Sequence, residues 1–373
     1  MSIKILHTAD NHIGMKFSNY PSPVKEHLIA ERIAALKNII TIANQKKAHF
    51  LVIAGDLFDT INVKVADIKD VAVLLKTFEG EAVIVLPGNH DFFEATPDSL
   101  WDKFRKHADH KKIIVLDKYE PFEYSISDQK VVFYPACCRS KHSNENVIGW
   151  VKDAPKDKDS INIGLAHGNV TGLGLDNEDQ YFNMTPEELK KAGVDFWLLG
   201  HIHVPFPKQS VNTNPNYFMP ATHTPDGMNC RHQGYCWYVD IDENKKVTGE
   251  LLQTGSIGFY DWNRTITSIL DFEKLKAEVS ALNKKKSLLR VELNGRLSAD
   301  EIKQVKEDII KLKEDFLFFA DTNAIKIDID AKYIDTNYTK DSLPHKLLSS
   351  LVKADKSSLE LQLANELIEK LKS

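Results

Sequence analysis

The chain has 373 residues, 48 Lys and Arg against 53 Asp and Glu, a formal net charge of -5, and 42% hydrophobic and 27% charged residues. That composition excludes bulk disorder, and the length predicts one large domain with smaller units attached rather than a single core. The acidic balance excludes a protein that grips nucleic acid by overall charge, so any such affinity has to be local or borrowed from a partner.

No apolar run approaches the roughly 20 residues needed to cross a bilayer, and the opening MSIKILHTAD lacks the charged-then-apolar order of a signal peptide. Cys137, Cys138, Cys230 and Cys236 show no Cys-x-x-Cys spacing and cannot staple so long a chain, so all are read as reduced thiols. The expectation is a cytoplasmic protein with no membrane contact.

In chain order, residues 3–10 (IKILHTAD), 50–56 (FLVIAGD), 82–88 (AVIVLPG), 131–136 (VVFYPA), 161–167 (INIGLAH) and 195–201 (DFWLLGH) are short apolar runs bounded by Gly, Pro, Asp or Asn, which predicts buried strands. Between them Leu28, Ile33, Leu36, Ile40 and Ala43, and then Ile68, Val71, Leu74, Leu75 and Phe78, recur at helical spacing. Strands alternating with helices predict a layered α/β domain. The text after His203, through YCWYVDID and KVTGELLQTG, reads as a second sheet closing the same domain near Gly255.

From about Tyr260 the chain changes character, and a strand, helix, strand, helix, strand order predicts a small separate α/β unit. Ser298 followed by Glu301 is a capping-box start for its second helix, predicted over Ala299 to Phe316. Residues 331–342 are polar enough for a linker. Beyond them Leu347, Leu348, Leu351 and Val352, then Leu359, Leu363, Leu367, Ile368 and Leu371, predict a two-helix tail whose apolar stripes need the body or a partner to cover them. No Walker A motif is present, so the chain itself is not expected to hydrolyse ATP.

Five short segments end in residues that ligate metal: Asp10-Asn11-His12, Gly55-Asp56-Leu57-Phe58-Asp59, Gly88-Asn89-His90-Asp91, His167-Gly168 and Gly200-His201-Ile202-His203. Each alone has a bland explanation as a strand end or turn. Their position at predicted strand ends is where open α/β sheets build ligand sites. In this order they resemble the calcineurin-like metallophosphoesterase superfamily, and HTADNHIG, FLVIAGDLFDT, VIVLPGNHDFF and DFWLLGHIHVP look like its SbcD-type DNA-repair exonuclease subunits, in a divergent bacterial subgroup. Asn11 stands where many SbcD sequences carry Trp.

The resemblance implies a four-layer α/β/β/α sandwich over residues 1–258, an α/β capping domain over 259–330, and a tail over 343–373 after the linker 331–342. It implies two divalent metal ions, manganese foremost, one held by Asp10, His12, Asp56 and His203 and the other by Asp56, Asn89, His167 and His201. Asp56 then bridges the pair and His90 faces the phosphate; Asp59, three residues beyond Asp56, is expected to accept from the other nitrogen of His90 and hold its tautomer. His7 is expected to pack or support from behind. The implied activity is phosphodiester hydrolysis on DNA, with an SbcC-like ATPase docking on the tail and a homodimer compatible with the pattern. The alternative is a phosphoesterase for nucleotides or other small phosphate esters; a third reading, a non-catalytic scaffold, sits badly with a complete ligand set.

Weaker candidates have cheaper explanations. Asp240 with Asp242 and Asp328 with Asp330 read as strand ends entering turns, and Lys284-Lys285-Lys286 as a solvated helix end. Arg139, Lys141 and His142 form a loop that sequence does not place.

Overall fold

A segment such as Phe50–Ala54, apolar at every position, is stable as a strand only when both faces are covered. The computed structural model describes residues 2–108, 111–173, 181–212, 214–355 and 358–372, which divide into two compact units, Met1–Phe259 and Tyr260–Ser373. In the first unit β1 (Ile3–Thr8), β2 (Phe50–Ala54), β3 (Ala82–Leu86) and β4 (Ile113–Val115) run parallel, connected through α1 (Ser22–Gln45), α2 (Val65–Leu75) and α3 (Leu100–Ala108). A second sheet is formed by β5 (Phe122–Ile126), β6 (Gln129–Ala136), β7 (Ile161–His167), β8 (Phe196–Gly200) and β9 (Tyr217–Phe218), in that order. α4 (Gly149–Asp153) joins β6 to β7, and α5 (Pro186–Lys191) joins β7 to β8.

The run after His203 corrects the sequence reading. β10 (Tyr235–Ile241) and β11 (Val247–Gln253) do not make the second sheet; β10 pairs antiparallel with β1, from Ile3 opposite Ile241 to His7 opposite Trp237, and completes the first sheet as β11-β10-β1-β2-β3-β4. The reason is burial on both faces: Trp237, Val239 and Ile241 point between the sheets while Cys236 and Tyr238 pack with the helices. Only a covered edge such as that beside β1 accommodates such a strand.

Three apolar clusters define the layers. Ile5, Val52, Ile84, Phe133, Leu165 and Leu198 fill the space between the sheets. Leu36, Ile39, Leu51, Ile68, Val85 and Trp101 join the first sheet to α1, α2 and α3, and Tyr134, Val151, Leu189, Trp197 and Leu199 join the second to α4 and α5. The order is α/β/β/α.

The second unit holds the sheet β12 (Gly258–Ile266), β13 (Ser287–Leu297), β14 (Phe318–Ile327), with β13 and β14 parallel in one unbroken register. α6 (Ile269–Ser280) and α7 (Ala299–Leu312) cover it through Phe272, Leu275, Val305 and Ile309, and the Ser298–Glu301 capping box forms. Residues 331–342 are not a bare linker. They contain α8 (Ala331–Asn337), capped by Asp330, and Ile334 and Tyr338 share a small core with Ile329, with Leu348 of α9 (Leu343–Ala354) and with Leu361 of α10 (Leu359–Lys372). Among the described residues, no helix is long and apolar enough to cross a membrane.

Candidate metal centre

Parallel strands deliver their carboxyl ends to one side, and here the two sheets deliver them to the same place. Asp10, Asp56 and Asn89 leave β1, β2 and β3; His167 closes β7 and His201 follows β8. The chain turns sharply at these points, and Asp10, His12, Asp56 and His201 all have positive φ, at 53°, 43°, 53° and 97°. Non-glycine residues rarely sit there, and such strain clusters where function holds a side chain in place. Gly55, at φ 89°, is held to glycine twice over, because any Cβ would run into the His167 ring.

All seven predicted ligands converge. The ligand atoms of Asp10, His12 and His203 lie within 4.8 Å of one another, as do those of Asp10, Asp56 and His167. Asp56 Oδ2 is 3.3 Å from His167 Nε2 and 3.6 Å from His12 Nε2, while its Oδ1 accepts from the His90 backbone N–H at 2.8 Å. Asn89 donates its Nδ2 to the Lys141 carbonyl at 3.4 Å, which leaves Oδ1 aimed at His167 Nε2 and His201 Nδ1, 3.1 and 3.2 Å away. The His201 backbone N–H donates to both oxygens of Asp10 at 3.1 Å.

The cradle is strongly negative. Burial alone would lower the His167 and His203 imidazoles, yet Asp56 and Asp10 push His167 up to about 9, and Asp10 with Asp226 pushes His203 up to about 10. Burial opposes ionisation of Asp56 too, but His167, His12 and His90 hold its carboxyl well below the usual range. Burial, reinforced by the neighbouring His167, lowers His201 to about 4. Meanwhile His12 Nδ1 and Nε2 are buried without a hydrogen-bond partner. Carboxylates that hold protons on neighbouring imidazoles, beside an imidazole whose nitrogens make no hydrogen bond, suit divalent cations bound in exchange for those protons. The donor set of carboxylate, imidazole and amide oxygen fits a pair of such ions.

Asp59 does accept from His90, but through its backbone and not its side chain. Its carboxylate faces His12 Nδ1 at 3.4 Å, and it is the Asp59 backbone carbonyl that lies 3.1 Å from His90 Nδ1. Since a carbonyl only accepts, Nδ1 carries the hydrogen and Nε2 is the nitrogen left free. His7 is fully buried, which lowers it to about 3 and keeps it neutral. Arg139 stacks on Tyr119, 4.6 Å from the ring centroid, while the Lys141 carbonyl accepts from the Asn89 side chain and His142 lies beside Tyr181. Asp242 and Asp330 serve as turn and cap acceptors, in keeping with strand ends entering turns.

Sequence reasoning passes over three supporting residues. Asp226 pairs with His203 Nδ1 at 2.8 Å. Asp91 is fully buried and ties two ligand loops together, accepting from the Gly88 and Phe58 N–H groups at 2.6 and 3.0 Å. Arg32, 2% exposed, donates Nε to the Asn11 carbonyl at 2.9 Å and a second nitrogen to the Asp10 carbonyl at 3.4 Å, behind the strained Asp10 and the residue that precedes the strained His12. A signal for Arg32 exists: it occupies the apolar face of α1, one turn from Leu28 and from Leu36. Nothing in local spacing marks Asp226.

Residues 3–205 match the model of the family described as calcineurin-like phosphoesterase. The uncharacterised metallophosphoesterase YhaO of Bacillus subtilis (strain 168) is 29% identical over 217 residues, covering 54% of this chain and 48% of its own, so the chain spans about half the length of that curated relative. Among solved structures, TT1561 of Thermus thermophilus superposes with a TM-score of 0.41 at 13% identity, over 68% of this chain and 100% of that one. The purple acid phosphatase PPD1 from yellow lupin (Lupinus luteus) seeds gives 0.41 at 10% identity, over 68% and 52%.

Proposed function

Because the chain belongs to the calcineurin-like phosphoesterase family of metal-dependent phosphoester hydrolases, we propose that it cleaves phosphodiester bonds in DNA, as an SbcD-type nuclease subunit working with an SbcC-like ATPase. The observation that carries the hydrolytic part is the placement of Asp56: one carboxylate oxygen faces both His12 and His167, so it lies between two donor sets. Asp10, His12, Asp56 and His203 would hold one cation and Asp56, Asn89, His167 and His201 the other; nitrogen and oxygen donors without thiolate suit Mn(II), Fe(II) or Zn(II), and the family resemblance favours manganese. Two divalent ions supply charge to neutralise the phosphoryl oxygens and activate water near neutral pH.

The chain's own groups do the rest. The His90 N–H and the His201 N–H orient the Asp56 and Asp10 carboxylates. His90, fixed through Nδ1 on the Asp59 carbonyl, presents Nε2 toward the crevice; burial holds its imidazole below the usual range, so Nε2 would first take up a proton there before passing it to the leaving oxygen. Purified protein with Mn(II) should cut labelled single- or double-stranded DNA as well as a generic diester. Hydrolysis confined to nucleotides or other small esters would replace DNA with that substrate class.

The ATPase reading draws support from α10. Leu359, Leu363, Leu367 and Leu371 recur every four residues and are 63%, 47%, 61% and 88% exposed, an open apolar stripe suited to a helix-docking partner. Leu363→Asp with Leu367→Asp should leave diester hydrolysis unchanged while abolishing association with the ATPase; persistent association would refute the docking assignment.

A further inference from the structure

Asp56, Asn89, His90, His201 and His203 form the floor of a crevice of about 980 Å³. That is the top of the roughly 300–1,000 Å³ range of sites that enclose one small molecule. Its remaining lining is chemically uneven. Lys208 and Arg231 are exposed there, and among the described residues neither meets a carboxylate. The carboxylates that do line the crevice are already engaged, Asp226 with His203 at 2.8 Å and Asp56 with His167 at 3.3 Å. In a chain of net charge -5, two cations that meet no carboxylate among the described residues stand beside the candidate centre, where an anion from outside could pair with them.

Aromatic faces accompany them. Tyr181 lies tilted against His201, with centroids 5.3 Å apart and planes at 33°; Tyr235 lies tilted against His232 at 5.6 Å and 36°. His232 is itself fixed, Nε2 donating to the His203 carbonyl at 2.8 Å and Nδ1 accepting from the Gly234 N–H at 3.0 Å. The Tyr235 platform is therefore tied to the segment that carries His203.

Cations that track phosphates, interleaved with flat rings that accept any base, are the means by which proteins hold a flexible nucleic-acid strand. A small ester with a single phosphate has no second one for Lys208 and Arg231 to meet. We infer that Lys208, Arg231 and Tyr235 form a strand-positioning subsite, which binds the phosphates and a base adjoining the scissile bond of a single-stranded nucleic acid. This rests on the diesterase reading of the centre beneath it.

The test compares wild type, Lys208→Ala with Arg231→Ala, Tyr235→Ala and Tyr235→Phe in Mn(II). Substrates are a labelled single-stranded DNA, the matching RNA and a small nitrophenyl diester. Removing the cations should raise KM for the oligonucleotide roughly tenfold and flatten its log–log salt dependence by about 0.7 for each phosphate left without its cation. Tyr235→Ala should cost roughly 5- to 100-fold on the oligonucleotide, Tyr235→Phe should restore it, and kcat/KM on the small diester should not move. The DNA and RNA arms show which strand is preferred. Unchanged oligonucleotide kinetics, or equal losses on oligonucleotide and small diester, would overturn the subsite. A wild type that hydrolyses the small diester but neither nucleic acid also overturns it, leaving the diesterase reading intact, whereas one inert on all three overturns both.

Discussion

Replacing Asp91 by Ala isolates the device that joins the two central ligand loops. Its carboxylate accepts from Gly88, just before Asn89, and from Phe58, just after the Asp56 turn, at 2.6 and 3.0 Å in a fully buried setting. Alanine leaves both N–H groups buried without an acceptor, at about 1–3 kcal/mol each, so the expected loss is about 2–6 kcal/mol. For a unit of this size that corresponds to roughly 4–24 °C in melting temperature. Asp91→Asn keeps one acceptor oxygen and should lose about half as much. Since the bonds hold the loops in register, Mn(II) affinity should fall roughly 10–100-fold, as for other groups that orient metal ligands. Scanning calorimetry with and without Mn(II), with metal titration by calorimetry, measures both quantities. An Ala variant that melts with the wild type, or an Asn variant as damaged as the Ala variant, would refute this hydrogen-bond account.

Asp56→Asn keeps the shape but removes the shared charge; bound metal should fall below two ions per chain by elemental analysis, and hydrolysis should drop below detection. Full activity with a single ion bound would end the bridging assignment. His90→Ala should preserve metal content while lowering turnover by roughly 10²–10⁴-fold, the usual reach of one positioned proton donor; loss of metal would instead make His90 a ligand. His7 is held to about 3 by burial against an ordinary 6.5, so its unfolded state binds the extra proton between those values. Its contribution is intact above 6.5 and is lost as pH falls toward 3, at up to about 1.4 kcal/mol per pH unit. Urea unfolding at several pH values should show that acid slope reduced in His7→Phe, and equal slopes would count against the neutral, buried His7.

Much of the first unit is legible because its strands are short apolar runs ending in chemistry-bearing residues. Phe50–Ala54 with Asp56, Ala82–Leu86 with Asn89, and Ile161–His167 each announce both a buried strand and a candidate donor at its carboxyl end. Less legible is the place of β10, because apolar alternation says that a strand is covered but not which distant edge covers it. The tail shows the same limit. Periodicity marks the stripe Leu359, Leu363, Leu367, Ile368 and Leu371 as the face needing cover, yet α10 turns Leu361 into the small core with Ile368 packed against it, and the other four stay exposed.

Donor type and strand-end position are local properties, and with the family resemblance they singled out Asp10, His12, Asp56, Asn89, His167, His201 and His203 from the sequence as candidate metal donors. Folding decided what those residues answer to. Asp59 turns its carboxylate to His12 instead of His90, Asp226 arrives from beyond the last motif to hold His203, and Arg32 reaches back from a helix to secure the Asp10 turn. Hydrogen bonds and charge pairs act over a few ångströms of space whatever the separation in sequence, so these partners become visible only when the two sheets bring their loops together.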